Sequence, residues 1–256
     1  MPCKRKIYRC GKTIHVEETQ SRIHKPGEHR EKRRKPTKEE MMLANERERA
    51  RKLCRKIEYN FGEGDYHTTL TYKKYDRPDP TEAKKRINKL IAKLRKAYKK
   101  LGYQLKYIVV TEYLNHAIHH HLIINNIVSG QVTTAVLIQQ YWDSGRSHFT
   151  PLDASGDYRQ LAEYLVKETV KTLRNEDSKY HQCYSCSRNL IDPEPEVHRM
   201  RAKEFQEPPK PEPGYYIDMD NIIDHITQAG YRYRYYRMIK IDNINDRRTK
   251  ANDNCG

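Results

Sequence analysis

Long hydrophobic runs and large apolar aromatics are scarce in this chain. Its 256 residues include 3 Phe and 1 Trp, and hydrophobic residues make up 36% even with 20 Tyr counted among them. No apolar stretch approaches the roughly 18 residues that a membrane span needs, and the N-terminal MPCKRK lacks the apolar region of a signal peptide. We therefore expect a soluble cytoplasmic protein with a small core and polar extensions.

A disulfide framework and a nucleotide-hydrolysis module are also missing. Six cysteines at irregular spacing favour reduced thiols in a cytoplasm. No G-x4-G-K-[ST] motif occurs, which excludes a helicase or ATPase module of the P-loop kind. Two weak patterns could serve a structural zinc ion, one made of His181, Cys183, Cys186 and His198 and half of another made of Cys3 and Cys10.

What the chain has in excess is positive charge. Lys and Arg number 50 against 34 Asp and Glu, a formal net charge of +16, which predicts a polyanionic partner. Residues 1–60 carry 19 basic and 9 acidic side chains and are predicted to form a basic arm, with Lys25–Lys38 disordered or folding on a partner. An exposed basic helix is expected from about Glu39 to Ile57. The alternative role for the arm is a tail that only keeps the protein soluble.

Strand and helix patterns predict an α+β domain at 61–192. YHTTLTY from Tyr66 has the period of a strand, and Asp79-Pro80 starts an amphipathic helix. The segments QLKYIVVTEY and AIHHHLIINN, joined by Leu114-Asn115-His116, predict a β-hairpin. A helix at 133–142, a strand at 146–151 and a helix at 157–173 complete the order β-α-β-β-α-β-α. We expect a central antiparallel sheet with flanking helices.

The remaining residues, 193–256, are predicted to form a small C-terminal extension. A proline-rich linker, PPKPEP, precedes a short helix at Asp220–Gln228, a strand at Tyr231–Ile241 and a polar tail. Alternation in that strand puts Arg232 and Arg234 on one face and three tyrosines on the other. The tyrosines could stack on bases or pack in a core, and packing is slightly favoured.

The helix after Asp79 carries a concentrated positive face. An apolar stripe runs through Ile87, Leu90 and Leu94. The opposite face holds Lys84, Lys85, Lys89, Lys93 and Lys96. So many like charges are typical of a phosphate-binding surface, and a face that is only solvated is the alternative. These lysines, with Arg232 and Arg234, are the candidate DNA-binding residues.

The strongest chemical signal is His119-His120-His121 within a predicted strand. Alternation places His119 and His121 on one face, about 7 Å apart along the backbone, and His120 on the other. Glu112 precedes His119 by seven residues in the partner strand, so a tight hairpin brings it beside the pair. Two imidazoles and a carboxylate suit Mg²⁺ or Mn²⁺, and less expectedly Zn²⁺. We expect the three side chains to meet within about 5 Å; exposed strand histidines are the alternative.

A tyrosine and a lysine share the polar side of the helix at 157–173. Tyr164 and Lys167 are three residues apart, nearly opposite the apolar stripe of that helix. A tyrosine so placed can attack a phosphodiester when a metal ion polarises the phosphate and a lysine stabilises the developing charge. The alternative is an ordinary surface tyrosine, one of 20 in the chain.

Three motifs resemble, in their order, those of HUH-superfamily rolling-circle replication initiators, above all the replication-associated proteins of bacterial mobile elements and filamentous phages. They are YHTTLTY (66–72), YIVVTEYLNHAIHHHLIIN (107–125) and LAEYLVKET (161–169). The resemblance implies an endonuclease domain of RRM-like topology in a bacterial cytoplasm or a phage-infected host. It also implies a divalent metal ion held by Glu112, His119 and His121, and attack by Tyr164, assisted by Lys167, on single-stranded DNA at a replication origin. The implied products are a 5′-phosphotyrosyl link and a 3′-OH for a host polymerase, with a host helicase as a further partner.

Two features depart from that pattern. His120 stands where a bulky apolar residue is usual, and we expect it to be buried and neutral. Positions 160, 167 and 168 hold Gln, Lys and Glu, so a second catalytic tyrosine is missing from the neighbouring turns; a homodimer is one way to supply the second cleavage. Ser187-Arg188-Asn189-Leu190 is also similar to that group, without an assignable role. The alternative functions are a non-catalytic nucleic-acid-binding regulator and a related single-tyrosine transposase.

Overall fold

The structure is a computed structural model, and it describes residues 3–20, 35–112, 117–173, 184–201, 204–205, 207–227 and 232–241. The chain divides into two compact units, one of Thr37–Asp192 and one that combines Met1–Pro36 with Pro193–Gly256. The boundary after Asp192 coincides with one expected from the sequence. The N-terminal boundary lies at Thr37 rather than after residue 60.

The elements are numbered in chain order. They are β1 (Cys3–Cys10), β2 (Thr13–Gln20), α1 (Lys38–Asn60), β3 (Tyr66–Thr71), α2 (Pro80–Lys100), β4 (Tyr107–Glu112), β5 (His119–Ile124), β6 (Val128–Ser129), β7 (Val132–Thr133), α3 (Thr134–Tyr141), β8 (Ser147–Pro151), α4 (Arg159–Leu173), β9 (Ser185–Cys186), β10 (Glu196–Met200), β11 (Tyr215–Ile217), β12 (Ile223–Ile226) and β13 (Arg232–Lys240).

The unit Thr37–Asp192 is built on a five-stranded antiparallel sheet in the order β8-β3-β5-β4-β9. The chain runs through it as β3-α2-β4-β5-α3-β8-α4, the order expected from the sequence patterns. The predicted α+β class and antiparallel central sheet are therefore confirmed. A small β6-β7 hairpin, not predicted from the sequence, precedes α3.

Helices cover both faces of this sheet. On one face α2 and α3 bury apolar side chains such as Leu94 against Leu122. On the other face α1 and α4 bury Ile57 and Leu165 in a cluster that includes Ile123. The apolar burial that drives folding is thus split between two layers, with the sheet in the middle.

Helix α1 is part of this unit rather than of an extended arm. Thr37 caps its start, because Thr37 Oγ1 accepts from the Glu40 amide and the Glu40 carboxylate accepts from the Thr37 amide. Its second half buries Leu53 and Ile57, and Glu58 accepts the Tyr158 backbone N–H at 3.3 Å. The prediction of a helix was right, but the prediction that it is exposed was wrong for this half.

The other unit contains a sheet in the order β10-β1-β2-β13-β11, with β12 also paired to β13. Gly11, at φ 59°, supplies the left-handed turn between β1 and β2. Residues 3–20 therefore form a hairpin rather than part of the disordered or helical basic arm expected from the sequence, and they bury Ile14 and Val16. Most of the stretch Lys25–Lys38, predicted to be disordered, lies outside the described residues.

The C-terminal part of this sheet contains one confirmed and one wrong prediction. The predicted strand is present as β13. The predicted helix at Asp220–Gln228 is instead a 3₁₀ turn at Met219–Asn221 followed by β12, because pairing with β13 outweighs weak local helix preference. Among the helices of the described residues, none has the length and apolar character needed to span a membrane.

Candidate active site

The β4-β5 pair sets the positions of the candidate metal ligands. The two strands are antiparallel, with Glu112 directly opposite His119 and Val110 opposite His121. Opposite residues in a sheet, and alternate residues in a strand, project from the same face. Glu112, His119 and His121 therefore share the face that α1 and α4 cover, since Val110 packs in that layer. The link at 113–116 lies outside the described residues.

These three side chains converge as expected. Glu112 Oε2 lies 2.9 Å from His119 Nε2 and 3.8 Å from His121 Nε2. One ligand atom from each residue lies within 4.8 Å of the other two. Two imidazole nitrogens and a carboxylate oxygen form a donor set that Mg²⁺, Mn²⁺ and Zn²⁺ all accept, so the residues fit a divalent ion. Its identity stays a proposal.

The two imidazoles are turned the same way. His119 Nδ1 lies 3.1 Å from the Ala117 carbonyl, which can only accept, so Nδ1 donates and Nε2 is the nitrogen that faces Glu112. His121 Nδ1 likewise lies 3.1 Å from another side chain, His67. Burial, together with His67 and the neighbouring histidines, lowers the pKa of His121 to about 3. A neutral imidazole is the form that binds metals.

Tyr164 reaches this cluster from α4. Its hydroxyl lies 3.4 Å from His121 Nε2, and the two rings meet edge to face with centroids 5.3 Å apart. Tyr164 is also partly accessible to solvent, because 43% of the residue is exposed. Lys167 is exposed one turn further along α4. A phenol at the mouth of a candidate metal site can therefore meet a substrate from solution.

His120 points to the opposite face of the sheet. It is fully buried, with Nδ1 2.8 Å from Thr111 Oγ1 and Nε2 2.7 Å from the Tyr72 hydroxyl. Burial lowers the pKa of His120 to about 3. The expectation that this residue is buried is confirmed, and the lowered pKa favours the expected neutral form.

Two further histidines, His67 and His148, lie on the same face of the sheet, and neither was predicted from the sequence as a site residue. The His67 ring of β3 stacks on His121, with centroids 5.3 Å apart and planes at 26°. His148 of β8 is exposed and lies opposite Thr69. Alternation within YHTTLTY could have placed His67 and Thr69 on one face. Only the pairing of β3 with β5, which puts Thr69 opposite His121, reveals that this face is the one with the metal ligands.

Residues 65–172 match the family model of replication-associated protein ORF2/G2P. The matched span runs from β3 into α4 and contains Glu112, His119, His121 and Tyr164. It thus agrees with the resemblance to replication initiators that the three sequence motifs indicate. No curated protein and no solved structure matches the chain.

Also in the matched span, α2 carries the predicted DNA-binding lysines. Lys84, Lys85, Lys89 and Lys96 are exposed. Lys93 is half-buried, with Nζ 5.6 Å from the centre of the Tyr141 ring. Because α2 packs in the cluster with Leu122, this basic surface lies on the other side of the sheet from Tyr164.

Arg232 and Arg234 are engaged within their own sheet. Arg232 binds Asp224 through two contacts of 3.0 and 2.9 Å. Arg234 is buried, and its guanidinium donates to Glu18 at 2.6 Å and to the Glu207 carbonyl at 2.7 Å. The prediction that Arg234 contacts DNA is corrected here: β13 is a central strand with partners on both edges, and alternation alone could not tell it from an exposed one.

Ser187-Arg188-Asn189-Leu190 closes the edge of β4. Ser187 Oγ accepts from the Tyr107 amide at 3.1 Å, and the Ser187 amide donates to the Tyr107 carbonyl at 3.0 Å. Asn189 Nδ2 donates to the Leu105 carbonyl, and Leu190 packs against the α1-α4 layer. The role of this motif in the described structure is to extend and anchor the sheet.

The weak zinc patterns gain no support. Cys3 and Cys10 stand at the two ends of β1, seven residues or about 23 Å apart at the rise of a strand, so they cannot bind one ion. His181 and Cys183 lie outside the described residues.

Proposed function

We propose that the protein is a metal-dependent DNA endonuclease and strand transferase that starts rolling-circle replication. The observation that carries this proposal is the position of the Tyr164 hydroxyl, 3.4 Å from His121 Nε2, beside a carboxylate and two imidazoles within 4.8 Å of one another. A nucleophile beside a cation site is the arrangement that attack on a phosphodiester needs. The match to a replication-associated family supports DNA as the substrate.

In the proposed reaction Tyr164 Oη bonds to a phosphorus atom of single-stranded DNA and the bond to the 3′ oxygen breaks. The products are a 5′-phosphotyrosine and a 3′-hydroxyl, and the proton lost by the phenol is balanced by the one that the 3′ oxygen gains. Strand transfer is the reverse, in which a 3′-hydroxyl attacks the phosphotyrosine and releases Tyr164.

The chain contributes ligands and positive charge to this chemistry. Glu112, His119 and His121 would hold Mg²⁺ or Mn²⁺, with Zn²⁺ less favoured, and such an ion polarises the non-bridging phosphate oxygens. Lys167 follows Tyr164 by one helical turn and would stabilise negative charge on the phosphate.

DNA binding and assembly extend the proposal beyond the site. The formal charge of +16 and the exposed lysines of α2 suit a nucleic-acid backbone. DNA longer than the few nucleotides near Tyr164 could contact both sides of the sheet. A host polymerase would extend the 3′-hydroxyl, a host helicase would separate the strands, and a second protomer could supply the second cleavage.

Adduct formation tests the proposed chemistry. The protein is incubated with Mn²⁺ and labelled single-stranded oligonucleotides tiled across the DNA that encodes and flanks the chain. We expect an SDS-resistant protein-DNA adduct that EDTA abolishes and added Mn²⁺ restores. Tyr164→Phe should form no adduct. Tyr158→Phe is the matched control, because the Tyr158 hydroxyl donates to the Asp153 carbonyl away from the candidate ligands, and it should retain the adduct.

Two outcomes would contradict the proposal. An adduct with Tyr164→Phe would mean that the nucleophile is another residue. Salt-sensitive DNA binding with no adduct on any tiled oligonucleotide would favour a non-catalytic regulator. Duplex substrates run in parallel show whether cleavage needs a single strand.

A further inference from the structure

We infer that His67 is a positioning residue of the candidate metal centre, accepting a hydrogen bond from His121 Nδ1 and thereby leaving His121 Nε2 as the nitrogen that binds the ion shared with Glu112 and His119. The inference rests on the proposed function in assuming that Glu112, His119 and His121 hold a divalent ion. Nothing in the three sequence motifs assigns such a role to His67.

The His67 and His121 rings are placed to share a hydrogen bond. His67 Nε2 and His121 Nδ1 are 3.1 Å apart, within the range of a hydrogen bond between ring nitrogens. One nitrogen must donate and the other accept. The opposite nitrogen of His121, Nε2, is the one that faces both Glu112 and the Tyr164 hydroxyl. A His121 that ligates through Nε2 must carry its proton on Nδ1, so His67 Nε2 is the acceptor.

His119, the other candidate histidine ligand, has a similar arrangement of its two ring nitrogens. There Nδ1 donates to the Ala117 carbonyl, so Nε2 is the nitrogen available to an ion shared with Glu112, whose Oε2 lies 2.9 Å away. Metal-binding histidines commonly donate their second nitrogen to such a partner, which sets the ring orientation and raises its basicity. Each of the two candidate ligands thus has its own partner, a backbone carbonyl for His119 and an imidazole for His121.

His67 also restricts rotation of the His121 ring. The His67 and His121 rings are stacked, with their planes at 26°, and His121 is 4% exposed. A flip of the His121 ring would exchange its two nitrogens and lose the bond to His67. Strand β3 holds His67 in place, since Thr68 and Leu70 of that strand are fully buried.

Metal binding without DNA tests this role. The fraction of free Mn²⁺ is measured by electron paramagnetic resonance for the full chain and for three variants. His67→Leu should weaken Mn²⁺ binding by about 10–100-fold. His67→Gln should restore most of the affinity, because its amide oxygen can stand near the position of Nε2 and accept the same proton. The matched control is His148→Leu, which changes an exposed histidine of the neighbouring strand β8. This variant should bind Mn²⁺ as the wild type does.

Nitrogen-15 spectra of the histidine rings supply a readout that a purely structural role would not move. We expect the neutral Nδ1–H tautomer for His121 in the wild type and in His67→Gln, and its loss in His67→Leu while thermal unfolding shows that the variant is folded. Unchanged Mn²⁺ affinity and tautomer in a folded His67→Leu would overturn the inference, as would a wild type that binds no Mn²⁺. A wild type that binds Mn²⁺ but forms no DNA adduct would instead count against the proposed function and leave the role of His67 standing.

Discussion

At the scale of single residues, the three consecutive histidines His119, His120 and His121 occupy three different environments. His119 is partly exposed and held by a backbone carbonyl. His121 is buried and held by His67. His120 projects to the other side of the sheet, between Thr111 and Tyr72. Loss of activity on substitution of any one of them would therefore have a different physical cause.

The substitution His120→Leu should reduce stability but leave metal binding intact. It removes the hydrogen bonds of the buried His120 ring to the Tyr72 hydroxyl and to Thr111 Oγ1, while the Tyr72 hydroxyl keeps its contact with the Ala83 carbonyl. A buried polar group that loses its partner costs about 1–3 kcal/mol. We expect a lower unfolding midpoint in denaturant, with unchanged Mn²⁺ affinity at temperatures where the variant is folded.

The comparison for this prediction is His119→Leu or His121→Leu. Either should lose Mn²⁺ binding, because each removes one of the three candidate ligand atoms. A folded His120→Leu protein that fails to bind Mn²⁺ would show that our division of the three histidines is wrong.

At the scale of single residues, the positions that could be predicted from the sequence are those set by the alternation of side chains along a strand. The convergence of Glu112, His119 and His121 follows from strand alternation and a short hairpin, both readable from neighbouring letters. His67 was missed because its place beside His121 depends on the register between β3 and β5, which are separated by an entire helix and a further strand. Arg234 was misjudged because its partner Glu18 is 216 residues away.

At the scale of elements, strong amphipathic patterns were predicted and weak ones were not. α2 begins at the expected Asp79 cap, whose side chain accepts from the Thr81 and Glu82 amides, and its apolar stripe is buried. The many charged residues of α1 led to the prediction of an exposed helix, although its second half contains a short apolar stripe that includes Leu53 and Ile57. Strand β1 carries the exposed basic residues Lys4, Lys6 and Arg9, so composition suggested a basic arm where the pairing of β1 with β10 and of β2 with β13 makes a sheet.

The basic face of α2 should contribute to DNA affinity through its charge. We expect Lys89→Gln combined with Lys96→Gln to weaken binding of single-stranded DNA and to reduce its dependence on salt. Each phosphate contact on a single strand contributes about 0.7 to the slope of log affinity against log salt. The double variant should therefore lower the magnitude of that slope by up to about 1.4, measured by fluorescence anisotropy at several salt concentrations.

Two exposed lysines of β1 provide a charge-matched control. Lys4→Gln combined with Lys6→Gln removes the same two charges from a different unit. If binding responds only to net charge, both double variants will change the slope equally, and the specific role of α2 is wrong. If the slope changes only with Lys89 and Lys96, the helix is part of the DNA-binding surface.

At the scale of the whole molecule, the two ends of the chain fold together. The sheet of that unit pairs β1 with β10 and β2 with β13, so strands from the first 20 residues complete their hydrogen bonds only with strands after residue 195. The candidate active site lies wholly within Thr37–Asp192. The net charge is therefore carried by two structural units, and the basic arm expected at 1–60 is divided between them.

Fragments test where the catalytic unit begins. We expect the fragment 37–192 to unfold cooperatively on heating and the fragment 61–192 to be unfolded or strongly destabilised. The shorter fragment lacks α1, whose Leu53 and Ile57 are fully buried against the α4 layer, and burial of such a side chain contributes about 1.5–3 kcal/mol. It also lacks Asn60, which pairs with both backbone groups of Ile191. Calorimetry of both fragments measures their unfolding temperatures. A 61–192 fragment as stable as 37–192 would show that α1 is not needed for the stability of this unit.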